Sequence, residues 1–475
     1  LCHLQSYFKL TQSTIEFSQS FCLSFSSSYI HFKTLLYLRR FSDTYPTSCL
    51  FLCSMIMEMS KKKAGAITKA FQNCHDLIPG LPSELAIECL VRVPYQFQSA
   101  MKSVCRSWRS LLSDSSFIRE RRRCGKAELL LCLVQPLTPP PTPASKAVGE
   151  TLVDEEGEKK LEDESQQQQQ QPRVSGTPRF GLSVYNAAME TWSRVAFPEQ
   201  QIPLFCECVV LQDAGKILLI GGWDPETLQP VKDVYVLEFA GEGSGRRWRR
   251  GAPMKESRSF FACASIGSTK VYVAGGHDDQ KNALRSAEVY DVEKNEWSTI
   301  PPMTEGRDEC QGFAMETDLG FCVLSGYTTE SQGRFQSDAE IYDPASNSWS
   351  KIEDIWQFPD ISPRGRTAGD IGGSSRLRCF TDGVLKRERK SETKDYSRKW
   401  NLELETIQLP TTGSSLFAGS LGGEAVVMTG GRRESEGKEG VMMRTTEKNI
   451  GKWSHIDDIP SGFSTLPFSH ASIYV

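Results

Sequence analysis

The sequence lacks a charge excess of either sign. Its 55 Lys and Arg stand against 59 Asp and Glu, a formal net charge of −4 at pH 7, so no global basic field draws in nucleic acid or an anionic membrane. Long apolar runs are missing as well: residues 35–38 and 49–53 fall far short of the ~20 that span a bilayer, and no membrane anchor is expected. Cysteine is present, fifteen residues, but without a repeated spacing. That pattern reads as buried free thiols of a reducing compartment, the cytoplasm or nucleus, and not as a secreted disulfide framework. What remains is 475 residues, 39% apolar, with 37 Gly and 24 Pro: a turn-rich chain long enough for two or three domains.

Residues 1–58 read as a non-native or disordered extension. Residues 1–54 are rich in Ser and Phe, hold Glu16 and Asp43 as their acids, and precede Met55, the first methionine. Upstream sequence carried into translation accounts for this composition; a transit peptide is the alternative, although an Arg-rich amphipathic helix is lacking.

Between Asp76 and Arg123 the period turns helical. Leu81-Pro82-Ser83-Glu84 opens a helix with Leu85, Cys89, Leu90 and Val93 on one stripe, and Pro94 closes it. Met101, Val104, Cys105, Trp108, Leu111 and Leu112 form the stripe of a second helix. So few residues do not easily bury two such faces, so part of the surface is expected to dock on a partner or on the following domain. The order Leu81-Pro82, Leu90, Val93-Pro94, Val104-Cys105-Arg106, Trp108-Arg109, Leu111-Leu112, Phe117 resembles the F-box motif, assigned to 76–123. The resemblance implies that Leu81, Pro82, Leu90, Val93, Pro94 and Trp108 face the Skp adaptor of a cullin-RING ubiquitin ligase; Trp108 is alternatively internal to the module. Arg119, Arg121, Arg122 and Arg123 read as a solvated helix end, since no aromatic platform accompanies them.

An apolar strand over 128–135 is followed by a proline-rich stretch, an acidic stretch and a glutamine run, so 137–178 is expected to be a disordered insertion. From residue 180 the chain repeats with a period near fifty. Trp192, Trp248, Trp297, Trp349, Trp400 and Trp453 lie 56, 49, 52, 51 and 53 residues apart. A second ladder runs through Gly221-Gly222, Gly275-Gly276, Ser325-Gly326, Asp382-Gly383 and Gly430-Gly431, each expected to end an apolar strand. A tyrosine stands seven residues before the tryptophan in Tyr185/Trp192, Tyr290/Trp297 and Tyr342/Trp349.

Each unit thus offers the parts of a four-stranded antiparallel blade, with glycines permitting close backbone approach and large rings filling the space between sheets. These markers resemble the kelch repeat. The resemblance implies a mainly β fold, a kelch β-propeller over 126–475 preceded by the small α-helical F-box. Six blades follow from the tryptophans, with 470–475 completing the first, while the departures at Tyr396 and Thr446 leave five or seven open.

No catalytic residue, metal site or cofactor is expected. Gly241, Gly243 and Gly245 precede no helix and read as a turn; Cys206 and Cys208 lack a second ligand pair; His277 and His470 have no nucleophile partner in the sequence. Propeller loops remain as the binding surface: 223–232, 277–285, 327–336 and 432–439. Arg258 and Arg307, each ten residues after a blade tryptophan, with Arg366 in a looser place, are candidates for a basic ring on an acidic target, or equally for hydrogen bonding within the blades. The F-box and kelch combination resembles a plant group of substrate receptors of SCF (Skp-cullin-F-box) ubiquitin ligases. That group implies phenylalanine ammonia-lyase as target, hence phenylpropanoid control, or alternatively cytokinin response regulators. A kelch interaction scaffold without a ligase is the rival reading, and a copper radical oxidase a distant one.

Overall fold

The structure, a computed structural model, describes residues 77–137, 179–199, 201–239, 247–315, 320–369, 376–381, 403–408, 416–422, 424–433, 438–445, 452–460, 462–463 and 465–475. The expected N-terminal extension, nearly all of the insertion, the Gly241–Gly245 turn, Asp382-Gly383, Tyr396, Trp400 and Thr446 lie outside these residues. The chain divides into two compact units at Ala127/Glu128, and among the described residues no helix is long and apolar enough to cross a membrane.

The first unit is helical. α1 spans Ser83–Val91, α2 Gln98–Val104, α3 Arg106–Ser113 and α4 Ser115–Arg123. The single second helix expected from the apolar stripe is broken at Cys105, which is extended (φ −157°, ψ 168°) and whose Sγ accepts from the Trp108 amide as the cap of α3. The core gathers Leu77, Ala86, Ile87, Leu90, Val91, Val93, Met101, Leu111, Leu112 and Phe117, and each such large aliphatic side chain removed from water contributes about 1.5–3 kcal/mol. Arg121 is only 1% exposed. Its Nη1 donates to the carbonyls of Val91, at 2.8 Å, and Val93, satisfying the orphan C-terminal acceptors of α1. The expectation of a fully solvated basic run is therefore corrected at this one position; Arg119, Arg122 and Arg123 are exposed.

The second unit holds strands β1 Leu129–Pro136, β2 Phe180–Asn186, β3 Thr191–Val195, β4 Glu207–Leu211, β5 Lys216–Ile220, β6 Val234–Glu238 and β7 Arg247–Arg250. Next come β8 Ala262–Ile266, β9 Lys270–Ala274, β10 Ala287–Asp291, β11 Glu296–Ile300, β12 Gln311–Met315, β13 Gly320–Leu324, β14 Ala339–Asp343 and β15 Ser348–Ile352. The remainder are β16 Thr367–Gly369, β17 Arg376–Thr381, β18 Glu403–Gln408, β19 Leu416–Leu421, β20 Glu424–Arg433, β21 Lys438–Thr445, β22 Ser454–Asp458 and β23 Ser469–Tyr474. Among the described residues these form five four-stranded sheets and one three-stranded sheet, β16-β17-β18. The first sheet has the order β23-β1-β2-β3, so the last strand completes the first blade and closes the β-propeller. Gln135 Nε2 reinforces that closure by donating to the carbonyls of Phe463 and Thr465 at 2.9 and 3.1 Å.

Aromatic packing explains the sequence spacings. Tyr185, Tyr290 and Tyr342 face Trp192, Trp297 and Trp349 directly across antiparallel pairs, with ring centroids 5.0, 4.9 and 5.3 Å apart. Seven residues is the distance around that hairpin. Shared cores then join neighbouring sheets: Val236, Phe261, Tyr290 and Trp297 lie in one, Ala262, Tyr272, Phe321 and Tyr342 in the next, and Phe380 and Val427, with Trp453 packed against them, in another.

Two expectations are corrected. Gly430 and Gly431 do not end a strand; β20 runs through them and pairs with β21, the register shifting between Gly430 and Arg433. In the fifth sheet β17 pairs with β18 in parallel, not antiparallel as the blade pattern leads one to expect.

Candidate functional site

Two surfaces carry candidate function, one in each unit. In the helical unit Leu90 and Val93 are 2% and 5% exposed, inside the module's own core, so the structure corrects their expected place on a docking face. Pro82 is exposed and Leu81, Pro94 and Trp108 are half-buried; the Trp108 indole donates to the Leu77 carbonyl at 2.6 Å, which fixes the ring against the chain ahead of α1. Leu85 and Val104, which periodicity placed on the apolar stripes of the two helices, instead present apolar surface, 38% and 47% exposed. The buried face of α1 is made by Ala86, Ile87, Leu90 and Val91, and that rotation turns Leu85 outward.

The basic ring is likewise corrected. Arg258 and Arg307 are fully buried. Arg258 donates to the carbonyls of Gly275 and Ser286 at 2.9 and 3.1 Å and to Glu288 at 3.0 Å, while Arg307 reaches Ser325, Asp338 and Glu340 at 2.9–3.1 Å. Both guanidiniums fasten the first residue of a small-residue pair to the start of the strand that follows, and offer nothing to a partner. Arg366 is half-buried and out of register with them. Pro363 stands where Arg258 and Arg307 stand relative to the following first strand.

At one end of the propeller a different set converges. The residue after each glycine pair turns back onto the loop ahead of that sheet's first strand: Trp223 pairs with Leu204, His277 with Ser259 and Tyr327 with Asp308. Two residues ahead of the first strand the backbone is left-handed, at Phe205 (φ 56°), Phe260 (φ 56°), Glu309 (φ 50°) and Gly365 (φ 66°). Such a backbone is costly for a phenylalanine and persists where surrounding structure over-determines it. The recurrence brings half-buried rings together: Phe205 lies 5.3 Å from Trp223, 5.2 Å from Phe260 and 5.2 Å from Phe468.

Polar groups are fixed among these rings. His277 Nδ1 lies 2.9 and 3.0 Å from the Asp308 oxygens. Its Nε2 accepts from the Trp223 indole at 3.2 Å and the Lys281 ammonium at 3.1 Å, which places the ring proton on Nδ1, donating to the carboxylate. Both ring nitrogens are engaged, so this ring acts as a positioning group among the aromatic side chains. The same ammonium sits 3.6 Å from the centre of the Trp223 ring. Arg364 arrives from the loop before β16; its Nη1 donates to the carbonyls of Phe261 and Cys310 at 3.0 and 2.8 Å and its Nη2 to Glu207. Its Cζ lies 4.7 Å from the Phe468 ring centre. One side chain thus touches residues that precede or begin three first strands and the closing strand β23. Burial lowers its pKa to about 9, so it remains charged at neutral pH, and its Nε–H has no partner among the described residues. Glu309 is raised by burial and by the neighbouring Asp308, and accepts from the Tyr327 hydroxyl at 3.3 Å.

Elsewhere, burial pushes the Cys206 thiol up to about 12 and holds Cys208 well above the ordinary range; among the described residues no cluster of three or more His, Cys, Asp or Glu is placed to hold a metal. Sequence reasoning missed Phe205, Phe260, Phe468 and Arg364, while Lys281 lies in the candidate loop 277–285 without having been singled out. The findable signal was positional: Phe205, Phe260, Glu309 and Gly365 are spaced 55, 49 and 56 residues apart, the same ladder as the tryptophans.

Comparison with known proteins matches residues 78–120 to the F-box domain and residues 171–369 to the KLHDC2/KLHL20/DRC7 Kelch-repeats domain. The chain is similar to the F-box/kelch-repeat protein At2g44130 of Arabidopsis thaliana, 76% identical over 425 residues that cover 89% of this chain and 100% of that one. It is 65% identical to the F-box/kelch-repeat protein SKIP20 of the same plant over 429 residues, 88% of this chain and 100% of the relative. The F-box/kelch-repeat protein At1g80440 follows at 35% over 314 residues, 65% and 78%. An F-box joined to kelch repeats indicates the role of substrate receptor in an SCF ubiquitin ligase. The chain belongs to the plant F-box/kelch-repeat protein family.

Proposed function

We propose that this chain acts in the cytoplasm or nucleus as an SCF substrate receptor that directs phenylalanine ammonia-lyase to ubiquitination and degradation. The observation that carries the receptor reading is a helical module with its own closed core that still exposes Leu85 and Val104. Apolar side chains left outside a satisfied core are the kind of surface a protein partner covers. In this reading the Skp adaptor takes that face together with Pro82 and Pro94. No residue of the chain performs chemistry; holding the target beside the ubiquitin-charged enzyme raises the effective concentration of its lysines. The choice of phenylalanine ammonia-lyase rests on the resemblance to the plant group, with cytokinin response regulators as the other targets that group implies.

The test is co-purification of the full chain with a Skp adaptor, beside Leu85→Asp and Val104→Asp, with circular dichroism confirming that each folds. Adaptor retained by the parent and lost by the folded variants supports the receptor reading; no adaptor on the folded parent overturns it in favour of a scaffold. The target is tested by the half-life of phenylalanine ammonia-lyase in plant cells expressing parent or Leu85→Asp chain. Shortening by the parent alone, reversed by proteasome inhibition, is expected. An unchanged half-life with a shortened one for a cytokinin response regulator replaces the target.

A further inference from the structure

We propose that the surface formed by Phe205, Trp223, Phe260 and Phe468 with Lys281 and Arg364 binds an acidic, aromatic-bearing segment of the target polypeptide. A ring or large aliphatic side chain of that segment lies against the four rings, and a flanking carboxylate meets the Lys281 ammonium. This deepens the substrate-receptor reading and rests on it.

The carboxylates closest to the rings are already engaged. Glu207 accepts from Arg364. Asp308 faces His277 Nδ1 and accepts the Glu309 amide at 2.8 Å, and Glu309 accepts from Tyr327. Asp224 takes the amides of Glu226 and Thr227 at 2.9 and 2.7 Å, and Asp278 those of Gln280 and Asn282 at 2.9 and 2.8 Å, each closing its own loop. Glu226 and Asp279 are exposed on those loops. The donors are not exhausted. Lys281 uses one N–H on His277 Nε2 and makes no ion pair with a carboxylate among the described residues, although it lies beside Trp223 with its charge partly stripped of water. Arg364 keeps its buried Nε–H unpartnered, with a side chain only 8% exposed. Spare donors beside engaged acceptors favour a ligand that supplies acceptors over one that supplies donors.

The rings set the second requirement. Four half-buried aromatic side chains, with Trp223 and Phe468 each about 5–6 Å from both Phe205 and Phe260, present an apolar face that a charged segment without a large side chain leaves uncovered. A basic segment fits poorly, because it meets the Lys281 ammonium with like charge and finds the Trp223 face already covered by that cation.

The experiment uses the full chain co-expressed with a Skp adaptor and three fluorescein-labelled heptapeptides: Gly-Glu-Asp-Phe-Glu-Asp-Gly, Gly-Glu-Asp-Ala-Glu-Asp-Gly and Gly-Lys-Arg-Phe-Lys-Arg-Gly. Fluorescence anisotropy is expected to rank the first at least about tenfold tighter than the other two, and its affinity to fall as salt rises. Lys281→Met is expected to weaken the first peptide about tenfold and Lys281→Arg to restore most of the loss. Lys281 is exposed, so these variants leave the fold intact, which circular dichroism checks. Equal affinity for all three peptides, a preference for the basic one, or indifference to Lys281→Met overturns the inference. Adaptor retention in the same preparation separates the failures: adaptor bound without peptide preference sinks this inference alone, and peptide preference without adaptor sinks the receptor reading while the peptide surface stands.

Discussion

Arg307 and Asp338 meet as a fork inside the propeller, Nη1 and Nη2 donating to the two carboxylate oxygens at 2.9 and 3.0 Å with 0% and 5% of the side chains exposed. Burial alone would raise the Asp338 pKa, but Arg307 and Lys351 bring it below the usual carboxylate value. Glu340 accepts from the same guanidinium at 3.1 Å. Removing the cation leaves two buried carboxylates short of a partner, a loss on the order of 3–5 kcal/mol. Arg307→Met is therefore expected to shift the urea midpoint of the propeller far downward. A midpoint within error of the parent would favour the target-facing one of the two roles read from its spacing over hydrogen bonding within the blades.

The glycine pairs make a second prediction. A Cβ on Gly276 (φ 82°) would lie 2.3 Å from the Ser259 carbonyl, whereas one on Gly267 (φ 69°) would meet nothing within 4 Å. Both substitutions carry the left-handed backbone cost of about 1–2 kcal/mol for an L-residue, and only Gly276→Ala adds a backbone clash. Thermal melting is expected to fall clearly further for Gly276→Ala than for Gly267→Ala. Equal drops would show that the pair matters for φ alone and not for close approach.

These contrasts mark where sequence reading succeeds. The Tyr and Trp spacing translated directly into cross-strand pairs because a hairpin fixes the distance between facing residues, and the glycine pairs at 221–222 and 275–276 are left-handed as a close approach demands. Arginine spacing was legible as position but not as direction: the ladder located Arg258 and Arg307, yet nothing in one dimension says that carbonyls and carboxylates wait inside. The aromatic surface was illegible for a related reason. Phe205 and Phe468 stand 263 residues apart in sequence and touch because the last strand closes the first sheet. In the helical unit Cys105 breaks what periodicity read as one helix, and Leu85 faces outward because the buried face of α1 is rotated from the stripe that included it.

Arg121 gives a prediction for that unit. It is the buried member of a basic run and holds the carbonyls of Val91 and Val93, so Arg121→Met leaves buried acceptors unsatisfied at about 1–3 kcal/mol in a small module. Loss of helical signal and of adaptor binding is expected, while Arg122→Met, at an exposed position, changes neither. Equal behaviour of the two variants would make the run a solvated helix end throughout.

His470 links the closure of the propeller to pH. On β23 its Nε2 accepts the Ser420 amide at 2.8 Å, and its ring meets Phe417 edge-on at 5.2 Å. A Cβ on Gly419 would lie 2.6 Å from Nε2, so β19 accommodates the imidazole only because that residue has no side chain. Burial lowers the His470 pKa to about 4, against about 6.5 in an unfolded chain. As pH falls below 6.5 the unfolded state gains a proton that the folded state refuses until about pH 4, so stability is lost across that window and is flat above it. Gln accepts the same amide hydrogen bond without titrating. The stability of the parent relative to His470→Gln, from urea unfolding, is expected to drop by about 1 kcal/mol between pH 7.5 and pH 5.5. A difference that does not change with pH would mean that the imidazole takes up its proton in the folded propeller as readily as in the unfolded chain, and that the Ser420 amide is not bonded to Nε2.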